Sequence, residues 1–343
     1  MLQHNTFGID AATTCFIEYD SEEDLQEVRK RIAVAYHGLP ILHVGKGSNL
    51  LFLENFQGVI LHSAIKGITE ISQTENEIYV RAGAGEVWDD FVDTCVKRGW
   101  AGVENLSWIP GEVGAAAIQN IGAYGVEAKD VIYEVECLEL ATGDKRIFSC
   151  EECHYGYRKS IFKEQLRGQY AVLSVVFRLK CSFTPNIEYG GVRKALTELG
   201  IEPDKVTMTQ LRNAIIDIRK QKLPDPEVQG NAGSFFMNPV VEKVVYEQLA
   251  QQYDSCPHYD QPDGRIKIPA GWLIEQCGWK GQNLGPAGVH KKQALVLVNL
   301  GGATGEDIAK LSETICRNVY ERFGIAIHPE VNFIGKNGLI DVK

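Results

Sequence analysis

The sequence predicts an α+β protein with mixed sheets and more than one domain. The chain has 343 residues, which is long for a single hydrophobic core. Helix-type and strand-type apolar spacing alternate in its first third, and strands become more frequent in the middle. The composition, 44% hydrophobic and 23% charged residues, is ordinary for a soluble globular protein.

In the first third, two predicted strands each run into a glycine-rich loop. Ser21 is placed to cap a first helix, after which apolar residues recur at helical spacing. A strand at residues 41–44 then leads into the glycines at 45–47. A second strand at 78–82 leads into Gly83-Ala84-Gly85, and a helix face begins at Val87.

The middle third is read mainly as strands. Residues 131–137 alternate in the manner of a half-buried strand, which places Tyr133 on the same face as Val135 and Cys137. Thr142-Gly143-Asp144 predicts a hairpin turn into a strand at 145–148, and 171–179 is a further apolar strand.

A capped helix closes the middle third. Thr207 forms a capping box with Gln210, and the helix ends in a basic turn at 219–222. The following Leu223-Pro224-Asp225-Pro226 stops it, because proline lacks the donor and the space a helix needs.

The last third is predicted as helices separated by short apolar strands. We expect helices near 240–252 and 270–277, a strand at 294–298, a long amphipathic helix at 304–323, and a closing strand carrying Ile325 to Phe333.

Charge and export signals narrow the class of protein. Lys plus Arg total 35 and Asp plus Glu 45, so the formal net charge of -10 argues against broad nucleic-acid binding. Neither a signal peptide nor an apolar run of membrane-spanning length is evident, and we expect a cytoplasmic monomer with no membrane partner.

The nine cysteines are expected to be free thiols. Cys150-Glu151-Glu152-Cys153-His154 matches a haem-attachment spacing. We interpret this match as chance and expect no metal, since no second ligand pair has a suitable spacing.

Two glycine-rich segments indicate binding of a flat, phosphorylated ligand. Gly45-Lys46-Gly47-Ser48-Asn49-Leu50 would expose consecutive backbone N–H groups, although an ordinary strand-to-helix turn also explains it. The segment from Ile109 to Gly125 is almost entirely small residues around Gln119 and Asn120. Bare backbone of this kind suits a bulky ligand, and a tight helix–strand packing seam is the alternative.

Together these segments resemble the FAD-binding fold of the vanillyl-alcohol-oxidase (PCMH) class. The whole chain resembles UDP-N-acetylenolpyruvoylglucosamine reductases of type I, on the Gln119–Gly125 loop, the Tyr189-Gly190 segment and four motifs. These motifs are Tyr155-Gly156-Tyr157-Arg158-Lys159-Ser160-Ile161-Phe162-Lys163, Lys222-Leu223-Pro224-Asp225-Pro226, Gly230-Asn231-Ala232-Gly233-Ser234-Phe235-Phe236-Met237-Asn238-Pro239 and His328-Pro329-Glu330-Val331. Met237 stands where the resemblance leads us to expect lysine.

The resemblance implies a reaction and a catalytic set. NADPH would reduce non-covalently bound FAD, which would then reduce UDP-N-acetylglucosamine enolpyruvate to UDP-N-acetylmuramate for peptidoglycan synthesis. Ser234 would protonate the carbon beside the reduced one, while Arg158 and Glu330 would stabilise the enolate. Without the resemblance, Ser234 would be read as a turn cap and the other two as an exposed ion pair.

The resemblance also implies ligand contacts and a division of the chain. The implied FAD contacts are Gly45, Lys46, Gly47, Ser48, Asn49, Leu50, Pro110, Gly111, Gly114, Ala115, Gln119, Asn120, Gly122, Tyr124 and Arg219. The implied substrate contacts are Tyr189, Lys222, Asn238, Lys280 and Gln293. We expect two FAD-binding subdomains at 1–66 and 67–218, a substrate-binding α+β domain at 219–325, and a strand at 326–343 that returns to the FAD-binding part.

Two rival functions remain at this stage. A flavin oxidase of the same fold would often tether FAD through a histidine in the first loop, where Ser48 and Asn49 stand here; His43 lies just upstream. A non-catalytic nucleotide-sugar binder would be expected to lack one of Ser234, Arg158 and Glu330, and all three are present.

Overall fold

The structure, a computed structural model, describes residues 1–189 and 191–340, so Gly190 of the Tyr189-Gly190 segment lies outside it. The chain forms two compact units. The terminal unit comprises Met1–Thr13, Gly47–Gln57 and Lys222–Lys343, and the central unit comprises Thr14–Lys46 and Gly58–Gln221. The two FAD-binding subdomains and the substrate-binding domain, with borders after residues 66, 218 and 325, are defined by function and not by packing. They remain a prediction.

Helices and strands are distributed along the whole chain. The α-helices of the described residues are α1 (Glu22–Ala35), α2 (Trp88–Arg98), α3 (Val113–Gln119), α4 (Val192–Glu198), α5 (Met208–Lys222), α6 (Lys243–Gln252), α7 (Ala270–Gln276) and α8 (Gly305–Phe323). Short 3-10 turns lie at Leu2–His4, Glu104–Leu106, Ala128–Asp130 and Pro203–Lys205. The strands are β1 (Thr13–Tyr19), β2 (Ile41–His43), β3 (Leu50–Phe52), β4 (Phe56–Ser63), β5 (Ile68–Gln73), β6 (Glu77–Gly83), β7 (Gly122–Ala123), β8 (Val126–Glu127), β9 (Ile132–Glu139), β10 (Lys145–Ser149), β11 (Tyr170–Lys180), β12 (Val240–Val241), β13 (Tyr259–Asp260), β14 (Ile266–Lys267), β15 (Asn283–Leu284), β16 (Ala287–Val289), β17 (Leu297–Asn299), β18 (Asn332–Gly335) and β19 (Gly338–Ile340). None of the helices in the described ranges is long and apolar enough to cross a membrane.

The central unit is built on a five-stranded antiparallel sheet of order β10-β9-β11-β6-β5. Helix α2 packs on this sheet, with the Phe91 ring 4.5 Å from Phe177 of β11 and Trp88 beside both. A second core lies under α1, whose Leu25, Val28 and Ile32 are buried as the helical spacing predicted. The sheet thus supplies a rigid support for the loops at its ends.

Strand β9 departs from the predicted alternation at Tyr133, whose side chain is 45% exposed. Along β9 and β11 the pairing passes from Glu134↔Val176 to Ile132↔Phe177. Two residues of β9 therefore oppose one of β11, and this bulge turns Tyr133 out of the core. The prediction of Tyr133 on the face of Val135 was wrong for that reason.

In the terminal unit, a parallel strand pair joins distant parts of the chain. Strand β18 pairs with β3, with Asn332 opposite Leu50, and forms a hairpin with β19. Helix α8 buries Leu311 and Ile315 and packs against β16 and β17. The predicted strands at 294–298 and 325–333 are formed only at their ends, where β17 begins at Leu297 and β18 begins at Asn332, and both observed strands continue past the predicted limits.

Candidate active site

In the central unit, Gly45 at the start of the first glycine-rich segment lies against the second segment. A Cβ placed on Gly45 would stand 3.0 Å from Oε2 of Glu112 and 3.3 Å from Cβ of Ala115. Gly45 therefore lies directly over the start of α3. This contact joins two predicted cofactor segments that are far apart in sequence.

The small-residue segment proves to be the short helix α3, set closely on the sheet. Gly114 donates its N–H to the Ala84 carbonyl at 2.9 Å, and a Cβ on Gly114 would stand only 2.9 Å from the Ala84 Cβ. The packing-seam alternative therefore explains this glycine. Gly111 has a φ of 133° and accepts from Trp88 N–H, while Pro110 before it is exposed.

The donor set at this junction fits a dinucleotide such as FAD. The N–H groups of Gly45, Lys46 and Ala115 donate no hydrogen bond to any residue in the described ranges. Main-chain N–H groups without a partner in the protein are groups that can bind a pyrophosphate.

Arg158 lies on the predicted cofactor loop in the central unit. Its Nη1 donates to the Asn120 carbonyl at 3.3 Å and its Nη2 to the Gly122 carbonyl at 3.4 Å. The backbone of Arg158 has a φ of 58°, which is uncommon for a residue with a side chain. A predicted catalytic residue and two predicted FAD contacts are thus in direct contact.

The motif around Arg158 is fastened to the loop by further side chains. Lys163 Nζ donates to Gln119 Oε1 at 2.9 Å and to the Arg158 carbonyl at 3.0 Å. The buried Ser160 hydroxyl donates to the Ile118 carbonyl at 2.6 Å, and Asn120 Nδ2 donates to the Gly156 carbonyl at 2.9 Å. Lys163 and Ser160 belong to the motif that contains Arg158, but the motif alone does not indicate this role.

Arg219 sits beside Tyr124 at the other end of the loop. Its Nε donates to the Trp108 carbonyl at 3.1 Å, just before the Pro110-Gly111 turn. Burial lowers the pKa of Arg219, and the contact with Tyr124 opposes that shift. Burial likewise raises the pKa of the Tyr124 phenol, against the opposing effect of Arg219.

Tyr189 adjoins the same loop from outside it. Its side chain is 40% exposed, and a Cβ on Gly125 would lie 3.3 Å from the Tyr189 Cβ. The structure thus places this predicted substrate contact next to the turn that follows Tyr124.

In the terminal unit, a short antiparallel ladder places Phe235, the residue after Ser234, opposite Glu330. The Glu330 N–H donates to the Phe235 carbonyl at 2.7 Å, and Met237 N–H donates to the His328 carbonyl at 2.9 Å. Ser234 is exposed after Gly233, whose φ is 68°, while Phe235 behind it is fully buried. Main-chain hydrogen bonds therefore join the two motifs that carry these predicted catalytic residues.

The first glycine loop reaches this ladder through Asn49. Its Nδ2 donates to the Glu330 carbonyl at 3.3 Å, and its own carbonyl accepts from the N–H and Nδ2 of Asn332 at 3.1 and 3.2 Å. These contacts follow from the parallel pairing of β3 and β18, since Ser48-Asn49 and Glu330 precede strands that run side by side.

Helix α7 gathers three of the predicted substrate contacts. Asn238 Oδ1 accepts from Ala270 N–H at 2.9 Å, and Lys280 Nζ pairs with Glu275 of α7 at 2.8 Å. Gln293 Oε1 lies 3.1 Å from the position of a Cβ on Gly271. Lys222 is exposed at the last position of α5. No residue pattern indicates that α7 contacts these residues.

A cluster of one histidine and two carboxylates supports the loop junction and was not predicted from the sequence. His62 is hydrogen-bonded through Nε2 to Glu112 at 3.1 Å and through Nδ1 to Glu18 at 2.8 Å. The Glu112 hydrogen bond is the largest influence and raises the pKa of His62, although burial opposes it. His43 lies nearby with its Nε2 3.3 Å from the Tyr19 hydroxyl, and burial lowers its pKa to about 4.

Comparison with known proteins agrees with this architecture. Residues 14–149 match the model of an FAD binding domain, and residues 225–334 match that of a UDP-N-acetylenolpyruvoylglucosamine reductase, C-terminal domain. The chain is therefore an FAD-dependent oxidoreductase, and the predicted pairing of an FAD-binding part with a separate C-terminal domain is confirmed.

Whole-length relatives define the family. A protein named UDP-N-acetylenolpyruvoylglucosamine reductase from Bacteroides fragilis is 52% identical to this chain, over 97% of this chain and 98% of the relative. A protein of the same name from Porphyromonas gingivalis is 48% identical, over 97% of each. The chain belongs to the UDP-N-acetylenolpyruvoylglucosamine reductase family. The crystal structure of UDP-N-acetylenolpyruvylglucosamine reductase from Thermus caldophilus has the same fold, with a TM-score of 0.63. It is 22% identical in sequence, and the superposition covers 97% of this chain and 96% of that one.

Proposed function

We propose that this chain catalyses the NADPH-dependent, FAD-mediated reduction of UDP-N-acetylglucosamine enolpyruvate to UDP-N-acetylmuramate. Its family membership supports this reaction. The single observation that supports the assignment of residues is the Glu330 N–H bond to the Phe235 carbonyl, which joins the Ser234 motif to the Glu330 motif. A serine that only capped a turn would not need that pairing.

The cofactor is held by main-chain groups of the two glycine-rich segments. FAD bound there would supply hydride transfer from NADPH to the terminal carbon of the enolpyruvyl group. Gly45, Lys46 and Ala115 offer the N–H donors for its pyrophosphate. Their position at one junction fits a ligand with two adjacent phosphates.

Ser234 supplies the proton that completes the reduction. It protonates the carbon next to the one that receives hydride, where negative charge develops. A hydroxyl is a weak acid in water, and so its surroundings must help it. Phe235 and Phe236, 0% and 1% exposed, form a fixed apolar wall directly behind this exposed side chain.

Arg158 and Glu330 stabilise the enolate form of the substrate. The guanidinium offers a planar fork to a carboxylate, and its charge is present before the transition state forms. Bonds to the Asn120 and Gly122 carbonyls hold Arg158 in place, so little reorganisation is required. Glu330 is held by its own main chain in the ladder.

The sugar nucleotide is bound by polar residues around α7 and at the end of α5. Its pyrophosphate needs local cations, because the net charge of the chain is -10. Lys222 and Lys280 supply them, with Lys280 exchanging its pairing with Glu275 for a phosphate. Asn238, Gln293 and Tyr189 supply hydrogen bonds. We also propose that the enzyme is monomeric and cytoplasmic and that it binds neither nucleic acid nor membrane.

A product assay tests this proposal. Purified holoenzyme is given NADPH and the enolpyruvyl sugar nucleotide, and the product is analysed by mass spectrometry. We expect NADPH consumption that depends on the second substrate, and a product heavier by two hydrogens. Oxidation of NADPH at the same rate without the sugar nucleotide, with oxygen as acceptor, would favour the oxidase instead.

A further inference from the structure

A short segment near the amino end, residues 4–7, is held rigidly by its own contacts; we call it the N-terminal strap. Asn5 is 4% exposed, and its Nδ2 donates to the Met1 and Ile9 carbonyls at 2.9 and 3.0 Å. Its Oδ1 accepts from Ile9 N–H at 2.9 Å, and Gly8 N–H closes a turn onto the Asn5 carbonyl at 3.2 Å. A terminal segment tied down in this way can position other parts of the chain.

On one side the strap contacts the first glycine loop. Thr6 N–H donates to the Gly47 carbonyl at 3.2 Å. A Cβ on Gly47 would stand 1.9 Å from the His4 carbonyl oxygen, and Gly47 has a φ of 67°. The two backbones approach so closely that only glycine fits at this point of the loop.

On its other side the strap contacts the segment that leads to Ser234. The Thr6 carbonyl accepts from Asn231 N–H at 2.9 Å, and Asn231 Oδ1 accepts from Gly233 N–H at 2.9 Å. A Cβ on Gly230 would stand 2.2 Å from the Phe7 carbonyl oxygen. The strap is thus as close to this segment as it is to the glycine loop.

The Phe7 side chain adds an apolar contact to the same segment. Its ring is fully buried and meets the Phe235 ring edge-on, with 6.0 Å between centroids. Asn299 Nδ2 donates to the Phe7 carbonyl at 3.0 Å. Phe235 follows Ser234 and accepts from Glu330, so the strap also supports the back of the ladder.

We infer that the N-terminal strap is a positioning element of the cofactor and catalytic sites. Thr6 holds the cofactor loop with its N–H and the Ser234 turn with its carbonyl, and this fixes the two relative to each other within the terminal unit. The inference rests on the proposed function for the roles of Gly47 and Ser234. It matters because small displacements of catalytic groups cost large factors in rate.

The main test breaks the hydrogen bond between the strap and the glycine loop. Thr6→Pro deletes the N–H that binds the Gly47 carbonyl and puts the ring Cδ in place of the proton, so that the carbonyl must move away. Asn5, with φ -150° and ψ 131°, already has the extended conformation that precedes proline, and Thr6 occupies the second position of a turn, which favours proline. Thr6→Val is the control, because it keeps the N–H and the Thr6 hydroxyl has no partner among the described residues.

Affinity for FAD is measured by titrating apoprotein and following flavin fluorescence. We expect Thr6→Pro to raise the Kd for FAD about 2- to 10-fold, the effect of one lost hydrogen bond, and Thr6→Val to bind FAD like the wild type. An unchanged Kd in Thr6→Pro, with equal falls in Tm for apoprotein and holoprotein, would mean that the strap only stabilises the fold and would overturn the inference.

The Ser234 side is tested with Phe7→Leu, which reduces the ring contact and keeps an apolar core. We expect the prereduced, FAD-saturated variant to be reoxidised by the enolpyruvyl sugar nucleotide about threefold more slowly, with its Kd for FAD unchanged. Wild-type rates in Phe7→Leu would contradict the inference and leave the proposed function standing. If the wild type itself fails to reduce the sugar nucleotide, the proposed function fails, and the FAD titration of Thr6→Pro still decides the cofactor side.

Discussion

The two units hold their predicted catalytic residues by different means. In the terminal unit, Ser234 and Glu330 are placed by main-chain hydrogen bonds between their neighbours, at 2.7 and 2.9 Å. In the central unit, Arg158 is placed by side-chain bonds to two carbonyls at 3.3 and 3.4 Å. A main-chain ladder survives most substitutions within it, whereas a side-chain network depends on each member.

This difference predicts that Ser234→Ala removes chemistry and leaves structure. The ladder uses no atom of the serine side chain, so the variant should fold and be reduced by NADPH at nearly the wild-type rate. Reoxidation by the enolpyruvyl sugar nucleotide should slow by about 10²- to 10⁴-fold, the usual contribution of a general acid. Anaerobic stopped-flow absorbance separates the two steps, with the exposed Ser255→Ala as control. Equal damage to both half-reactions would refute the acid role.

The apolar backing of the ladder is tested by Phe235→Ala. Phe235 is fully buried against Phe7, Phe236 and Phe333, with ring centroids 5.1 to 6.0 Å away. Removing a buried aromatic ring should lower the free energy of unfolding by about 3–5 kcal/mol. Urea unfolding followed by circular dichroism measures this. Tyr320→Ala, at a side chain 60% exposed, is the control, and a loss no larger than the control's would show that the ladder has no apolar support.

Arg158→Lys tests the side-chain half of the comparison. Lysine keeps the positive charge but loses the fork that contacts the Asn120 and Gly122 carbonyls. We expect kcat for the enolpyruvyl substrate to fall by about 10- to 100-fold, more than KM rises. Arg167→Lys, at an exposed position of the same segment, should behave like the wild type. A change in KM alone would assign Arg158 to binding only.

The smallest expected effect concerns the His62 cluster in the central unit. Contacts with Glu112 and Glu18 raise the pKa of His62 above its usual value of 6.5. The protonated His62 therefore makes its full contribution to the stability of the fold at pH values below 6.5. The contribution is lost as pH rises through the raised pKa of the folded state. The difference in Tm between wild type and His62→Gln should therefore be largest near pH 6 and shrink toward pH 9. A difference that grows with pH would reverse this assignment, and the exposed His37→Gln serves as control.

Local features of the fold could be predicted from the sequence. The Ser21 cap of α1 accepts from Asp24 N–H, and the Thr207–Gln210 box opens α5 as expected. These helix caps depend on residues three positions apart, and their geometry is the same in any protein. The end of α5 at Lys222 before two prolines was predictable for the same reason.

Non-local features could not be predicted from residue patterns. The pairing of Phe236 with Pro329, and of β3 with β18, joins segments from distant parts of the sequence, and periodicity does not specify such partners. Helix α3 was missed because small residues carry no amphipathic pattern. The roles of Ser234, Arg158 and Glu330 came from resemblance, since a serine, an arginine and a glutamate have no distinctive pattern by themselves.

The central claim is tested most directly by an anaerobic visible spectrum of the wild-type protein. NADPH should bleach the flavin absorbance, and the enolpyruvyl sugar nucleotide, added without oxygen, should restore it. That result would establish cofactor, reductant and acceptor in one experiment. Bleaching that the sugar nucleotide fails to reverse, while air restores the colour, would contradict the account and favour an oxidase.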